Sequence, residues 1–390
     1  MIPQVTIASI HGPFGQLFLA EELHKRGALA AVVDTRPWWK AKKKHPWLPR
    51  SKYLAMPLIE YGRQIRMQFV SKVFSYDDRL LTEIERTLFA KWIARVIPEA
   101  DIQIFLVGSA LESLNAAKRE GRKTIVFNNS THIDNAVAVL TEEARVRGLR
   151  EPKYFSQWFR KRVLDEYELA DFIRVPAEIA RQSFLDRGFS PEKVRVIPHG
   201  YEIDVFQPHP KRDDIFRVLF FATVSYRKGV PYLFEAFRRA NIQKSELLLV
   251  GGLSSEIRPF LKAIDIPFRS LGYVPWKDLA PIISQCSVSV LLSLEEGSAG
   301  TLGQAMACGV PVVATRAAGA EPLIRNGIDG YVVDLPQNVE CVADCLRELA
   351  LDESKRRSMA ANALGRVSSF TWKNHADEMW KWFTEIVPLS

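Results

Sequence analysis

Long apolar runs are missing from this chain. The longest, residues 28–33 and 288–292, fall far short of the roughly 18 residues that a membrane-spanning helix needs. Cysteine is scarce. Cys286, Cys308, Cys341 and Cys345 all lie in the C-terminal half and lack metal-ligand spacing. No disulfide framework or cysteine metal site is expected, and reduced structural thiols in a cytosolic protein are. The opening residues MIPQVTIASIHG have neither a basic start nor a small-residue cleavage site, so no signal peptide is expected. Acidic residues are nearly absent between Arg36 and Lys72, where Glu60 alone faces ten lysines and arginines.

That stretch holds most of the basic excess of a 390-residue chain whose net charge is +8. It also carries Trp38, Trp39, Trp47, Tyr53 and Phe69. Clustered cations gain free energy near an anionic lipid surface, and Trp and Tyr favour the interface. The pattern predicts a domain that docks on an anionic membrane, with a basic-sided helix over 58–73. A soluble anionic polysaccharide, or a solvated loop whose aromatics pack on the protein, is the alternative. The sequence pI of about 9.2 is accompanied by no recognisable nucleic-acid motif, so no nucleic-acid partner is expected.

Hydrophobic residues make up 47% and charged residues 25%, as in a globular chain long enough for two domains. Short runs rich in Val, Ile and Phe alternate with amphipathic stretches. Strands are expected at 5–10, 28–34, 102–107 and 124–127, with a helix at 17–26. The pattern restarts after 208, with strands at 217–222, 246–250, 287–292, 310–314 and 330–333 and helices at 230–240, 301–307 and within 339–363. Strand–helix alternation implies α/β folding with doubly wound, mostly parallel sheets. The aperiodic segment 198–214, rich in Pro, His and charge, reads as a linker.

Ligands of such sheets bind beyond the carboxyl ends of the strands, and clefts between domains are favoured sites. The loop 293–300 leaves a strand and enters a helix. Its small residues Gly297, Ser298, Ala299 and Gly300 let a ligand approach the backbone, and the free amides at the helix start, by Thr301, suit a diphosphate. Glu296 can accept hydrogen bonds from sugar hydroxyls, and Gln304, two turns on, from a ribose. A glutamate that only complements the helix dipole is the alternative.

This loop resembles the signature of the family-4 retaining glycosyltransferases of the GT-B fold, in which a Glu, seven residues and a second Glu precede Ala-Met-Ala-Cys-Gly. Glu296 matches the first Glu and 305–309 the tail, whereas Gln304 stands in place of the second Glu and Ser298-Ala299-Gly300 replaces Phe-Gly-Leu. Further stretches are similar in the family's order. They are 196–201, 221–229 with Lys228 at the phosphate-binding Lys, 248–252 with Gly251, 271–274 with Tyr273 and Val274 at the nucleobase, and Phe370-Thr371-Trp372. Thr223 stands where many members have Arg, and Arg227 is the substitute cation. In the first half, His11–Gly15 resembles the first glycine loop, implying Gly12 and Gly15 near the donor phosphates, and His132 resembles a histidine lining the sugar pocket.

The resemblance implies two Rossmann-like domains facing a cleft: 1–205 binding acceptor, 206–370 binding donor, and a helix at 371–390 returning to the first. It implies transfer from a nucleotide-sugar donor to a glycan or glycolipid acceptor in cell-surface glycan synthesis, with retention. Glu296 and His132 would be catalytic. No cofactor or metal is expected. Asp-x-Asp is absent, and no carboxylate pair suggests a double-displacement route. The expected place is cytoplasmic, peripheral on the inner face of the membrane. An epimerase on the same scaffold or a non-catalytic nucleotide-sugar-binding module remains open at this point.

Overall fold

The computed structural model describes residues 2–10, 15–66, 79–149 and 155–388. The first sheet comprises β1 (Val5–Ala8), β2 (Leu29–Asp34), β3 (Tyr53–Ala55), β4 (Ile102–Leu106), β5 (Lys123–Phe127), β6 (Phe172–Val175) and β7 (Val194–Val196). Its order is β3-β2-β1-β4-β5-β6-β7, and neighbouring strands run parallel. Its helices are α1 (Gln16–Lys25), α2 (Trp38–Lys44), α3 (Pro57–Ile65), α4 (Arg79–Val96), α5 (Leu111–Arg119), α6 (Ile133–Val146), α7 (Gln157–Leu169) and α8 (Glu178–Leu185). Strands buried on both faces read as continuous apolar runs, as β2 does in Leu-Ala-Ala-Val-Val.

The second sheet is again parallel, in the order β10-β9-β8-β11-β12-β13. It is built from β8 (Phe216–Phe221), β9 (Ser245–Val250), β10 (Arg269–Gly272), β11 (Val288–Leu291), β12 (Val312–Thr315) and β13 (Gly330–Val333). Around it lie α9 (Val230–Ala240), α10 (Arg258–Ala263), α11 (Leu279–Ile283), α12 (Gly300–Ala307), α13 (Val339–Leu351) and α14 (Glu353–Val367), before α15 (Trp372–Ile386). The expected strands form within one to three residues of their predicted ends. Four strands, β3, β6, β7 and β10, lay outside the expectation. They are three or four residues long, too short to stand out, and an arginine sits within or at the end of β6, β7 and β10. The basic-sided helix is observed only as α3, and residues 67–72 of the basic stretch lie outside the described residues.

The chain passes between domains twice, side by side. The Tyr201 amide donates to the Phe370 carbonyl at 2.8 Å, and Tyr201 bridges Thr371 in parallel. Gly200 is needed there, because a Cβ would collide with the Trp372 backbone. After this crossing α15 joins the first domain: Ala376, Met379, Trp382 and Phe383 belong to the core cluster that holds Val5, Leu19 and Ile104. Asp377 pairs with Arg26. Removing a buried phenyl ring costs about 3–5 kcal/mol. Phe383→Ala should therefore destabilise the first domain by that amount in denaturant unfolding, and a change under about 1 kcal/mol would show α15 to be undocked.

Candidate functional site

The loop 292–299, between β11 and α12, is pinned before its side chains are aimed. The Thr315 hydroxyl donates to the Ser293 carbonyl at 2.6 Å, and the Leu294 amide donates to the Arg227 carbonyl at 2.9 Å. Two adjacent glutamates then point to different partners. Glu295 is 1% exposed and crosses to the first domain. One of its oxygens accepts from the Ser130 hydroxyl at 2.6 Å, the Thr131 amide at 3.0 Å and the Thr131 hydroxyl at 2.8 Å. The other pairs with Arg227 at 2.9 Å. Burial pushes the Glu295 carboxyl up. Arg227 and the Ser130 and Thr131 donors outweigh it, so the group titrates below the usual glutamate range. Glu296 turns to Lys228, with which it forms an ion pair.

A cavity of about 410 Å3 opens at this point between the domains. Glu296, Ser298, Gly300 and Gln304 line it from the second domain, Gly15, Asn129, Arg36 and Lys44 from the first, and His199, Gly200 and Tyr201 from the crossing. Phe18, Trp276 and Trp372 add apolar faces, Phe18 and Trp372 stacking at 5.1 Å. Aromatic faces beside the cations Arg36 and Lys44 suit a ligand with a ring and an anionic group. The histidines bring no positive charge at neutral pH. Burial, then Arg174 and His375, hold His199 well below the ordinary range, and burial, then Lys44 and Arg36, lower His45 to about 4.

Behind the wall, Arg174 is fully buried. It donates to Asn129 Oδ1 at 3.1 Å and to the Ile197 carbonyl, and its guanidinium lies 3.4 Å from His199 Nδ1. It thereby fixes Asn129 and His199 against each other. Burial lowers its pKa to about 9, which leaves it cationic at neutral pH.

The sequence-derived residues separate into three groups. Gly15, Glu296, Ser298, Gly300 and Gln304 line the cavity, and Lys228 touches it through Glu296. Gly297, Ala299 and Thr301 belong to the same loop and helix start. Gly297 lets the domains approach, since a Cβ there would meet the Asn129 carbonyl. Gly251, Tyr273 and Val274 follow the carboxyl ends of β9 and β10 but line neither this cavity nor the smaller one described below. At Gly251 the backbone itself demands glycine, with φ at 143°. Gly12 lies outside the described residues.

Two expectations need revision. His132 does not line the sugar pocket. It is 2% exposed, its ring packs at 5.0–5.7 Å against Tyr167, Phe184 and Phe189, and its Nδ1 accepts from the Asp134 amide at 3.2 Å as the cap of α6. Burial, then Arg187, lowers it to about 4. A cap is a structural duty that any short acceptor side chain can serve. Arg227 is engaged by Glu295 and donates to Ser130 Oγ at 3.4 Å, so it clasps the two domains and does not line the larger cavity. The residues that sequence reasoning passed over are Asn129, His199, Tyr201, Trp276 and Trp372. Tyr201 and Trp372 stood in stretches compared with the family, where a Tyr after Pro-His-Gly and a Trp at a helix start were the available signals.

Residues 215–352 match the family model described as Glycosyl transferases group 1. The matched stretch lies within the second domain. Among curated relatives, the chain is 30% identical over 250 residues to the MMP alpha-(1->4)-mannosyltransferase of Mycolicibacterium hassiacum, covering 60% of this chain and 59% of that protein. It is 25% identical over 227 residues to D-inositol 3-phosphate glycosyltransferase 1 of Catenulispora acidiphila, covering 52% and 54%. The matches thus span under two thirds of the length of these relatives. Solved structures align along the whole chain. HepE of Anabaena in complex with UDP and glucose superposes with a TM-score of 0.69 at 18% identity, over 98% of this chain and 100% of that one. Sucrose-phosphate synthase from Thermosynechococcus elongatus superposes with a TM-score of 0.67 at 18% identity, over 100% of both. The fold is GT-B.

Glu296 lines the cavity beside the start of α12, held by Lys228 and by Ser293 Oγ at 3.4 Å. Glu296→Ala should lower turnover of a nucleotide-sugar donor by on the order of a hundredfold, because misplacing a bound substrate is costly. The unfolding midpoint should stay near that of the wild type. Near-normal turnover would remove Glu296 from the site.

Proposed function

We propose that the protein is a glycosyltransferase that moves a sugar, with retention of configuration, from a nucleoside-diphosphate sugar to a lipid-linked or polysaccharide acceptor in cell-surface glycan synthesis. The observation that carries this reading is the cavity where Glu296, Lys228 and the start of α12 meet Asn129 and Gly15 across the cleft. The donor's diphosphate is assigned to Lys228 and the amides at the start of α12. In the transfer the bond from the anomeric carbon to the diphosphate oxygen breaks, and the bond to the acceptor oxygen forms on the same face. The acceptor's hydroxyl proton passes to the departing diphosphate. Glu295 is unsuited to act as a nucleophile, since it is buried and lines neither cavity. This supports a mechanism of positioning and leaving-group stabilisation, with Lys228 and the helix amides in place of a metal ion.

The donor reading is tested by ligand-dependent stability. A nucleoside-diphosphate sugar at a hundred times its Kd should stabilise the fold by about 2.7 kcal/mol. Lys228→Met should weaken nucleoside-diphosphate binding far more than nucleoside binding, since only the former carries the paired charge. Equal losses in calorimetry would make Lys228 structural.

The same proposal includes docking on an anionic membrane at the inner cell surface. Among described residues of the basic stretch, Trp39, Leu58 and Ile65 are 57%, 78% and 57% exposed, and α3 presents Leu58, Tyr61 and Ile65 at helical spacing. Part of the basic charge is already neutralised, since Arg36 pairs with Asp34, Arg63 with Glu60 and Arg66 with Glu85. Among the described residues, Lys42, Lys43 and Lys44 on α2 form no ion pair. Co-sedimentation with anionic vesicles should occur at low salt, fall with added salt, and drop when these three lysines become Gln. Wild-type protein that ignores such vesicles would contradict the docking.

A further inference from the structure

A second cavity, of about 320 Å3, adjoins the first and shares Asn129 and Glu296 with it. Asn128, Ser130, Thr131, Tyr167 and Arg227, the last already paired with Glu295, also line it. Ile133, Ala136, Phe155, Phe159 and Val163 form an apolar wall. Into this wall comes Arg86, from α4. The inward stripe of α4 is Phe89, Ala90 and Ile93, all nearly fully buried. Arg86 lies three, four and seven positions before them, on the same stripe. A guanidinium on the core side of an amphipathic helix is costly without a partner.

Among the described residues Arg86 has no hydrogen bond or ion pair. Its contact is with the Phe159 ring, 4.8 Å from its centroid. The carboxylates near enough to influence it are committed elsewhere. Glu166 accepts from the Ala110 and Leu111 amides at 2.8 and 3.0 Å and pairs with Arg162, and Glu85 pairs with Arg66. Gly108 leaves the space, for a Cβ there would collide with both the Phe159 ring and the Arg86 guanidinium. The same two helices, α4 and α7, also present exposed Leu80, Ile84, Leu88 and Trp158, an apolar outer surface beside the cavity.

We propose that this second cavity holds the acceptor, and that the acceptor carries an anionic group, bound by Arg86, on an apolar body lying along Phe155, Phe159 and Val163. The inference rests on the transferase reading above. It places the accepting hydroxyl at the end shared with the donor cavity, by Asn129 and Glu296, and the anion at the far end. A charge-assisted contact in an apolar wall gives large discrimination against an uncharged analogue.

The test is calorimetry on the full chain with n-octyl phosphate, phenyl phosphate, n-octanol and inorganic phosphate as probes. At least one organic phosphate should bind on the order of tenfold or more tightly than both octanol and inorganic phosphate. A preference for octyl phosphate would indicate a lipid-borne anion, and a preference for phenyl phosphate a soluble one. Arg86→Met, which keeps the stem, should erase the advantage. The proposal fails if neither organic phosphate outbinds inorganic phosphate and octanol, or if a folded Arg86→Met protein binds them as the wild type does. The ranking of probes on the wild type stands even if the variant does not fold. Nucleoside-diphosphate-sugar binding by the wild type, measured alongside, separates this failure from a failure of the donor reading.

Discussion

The buried carboxylate of Glu295 is the contact on which the geometry of the cleft depends. It belongs to the second domain but takes three hydrogen bonds from Ser130 and Thr131 of the first. Arg227 neutralises it from its own side at 2.9 Å. A carboxylate this deeply buried persists only when every oxygen is engaged, so the domains have to meet in one register for the group to be stable. A second clasp agrees with that register: Tyr232 of α9 donates to Glu143 of α6 at 2.6 Å, with Arg147 over the Tyr232 ring at 4.6 Å. Because Glu295 titrates below the ordinary range, its contribution is present at neutral pH and is lost as pH falls through that lowered value.

The rest of the site inherits its position from this contact. The loop bends at Leu294 and Glu295, and with Glu295 fixed toward the first domain Glu296 lines the cavity and pairs with Lys228. Asn129, immediately before Ser130, is brought against Gly297, where only glycine permits the approach. Arg174 holds Asn129 from behind and reaches the Ile197 carbonyl where the crossing begins. Loop, wall and crossing are therefore one connected set of polar contacts, and the two cavities meet at the two residues, Asn129 and Glu296, that this set positions.

Much of this architecture was legible in the sequence for a definite reason. Parallel strands covered on both faces are rich in apolar residues, and β2, β8 and β12 announce themselves by runs such as Leu-Ala-Ala-Val-Val, Val-Leu-Phe-Phe and Val-Val-Ala. β6 does not, because its function is to carry Arg174 inside. The loop 293–300 was legible because close approach of a ligand demands small residues in a row. What could not be read is pairing across the cleft. Whether Arg227 faces a phosphate or Glu295, and whether His132 faces a sugar or caps α6, depends on a residue 68 positions away in the one case and on ring packing in the other. The wall formed by Phe18, Trp276 and Trp372 likewise joins three distant segments. Arg86 was legible in principle, as a charge on the apolar stripe of an amphipathic helix.

The central claim is that the cavity between Glu296, Lys228 and the start of α12 binds the diphosphate of a nucleotide sugar in this closed arrangement. A crystal structure of the full chain soaked or grown with a nucleoside diphosphate tests it directly. The account predicts the diphosphate at the start of α12 with Lys228 turned from Glu296 to a phosphate oxygen, and Glu295 still bound to Ser130 and Thr131. A nucleotide bound elsewhere, with the pair between Lys228 and Glu296 intact, would contradict it.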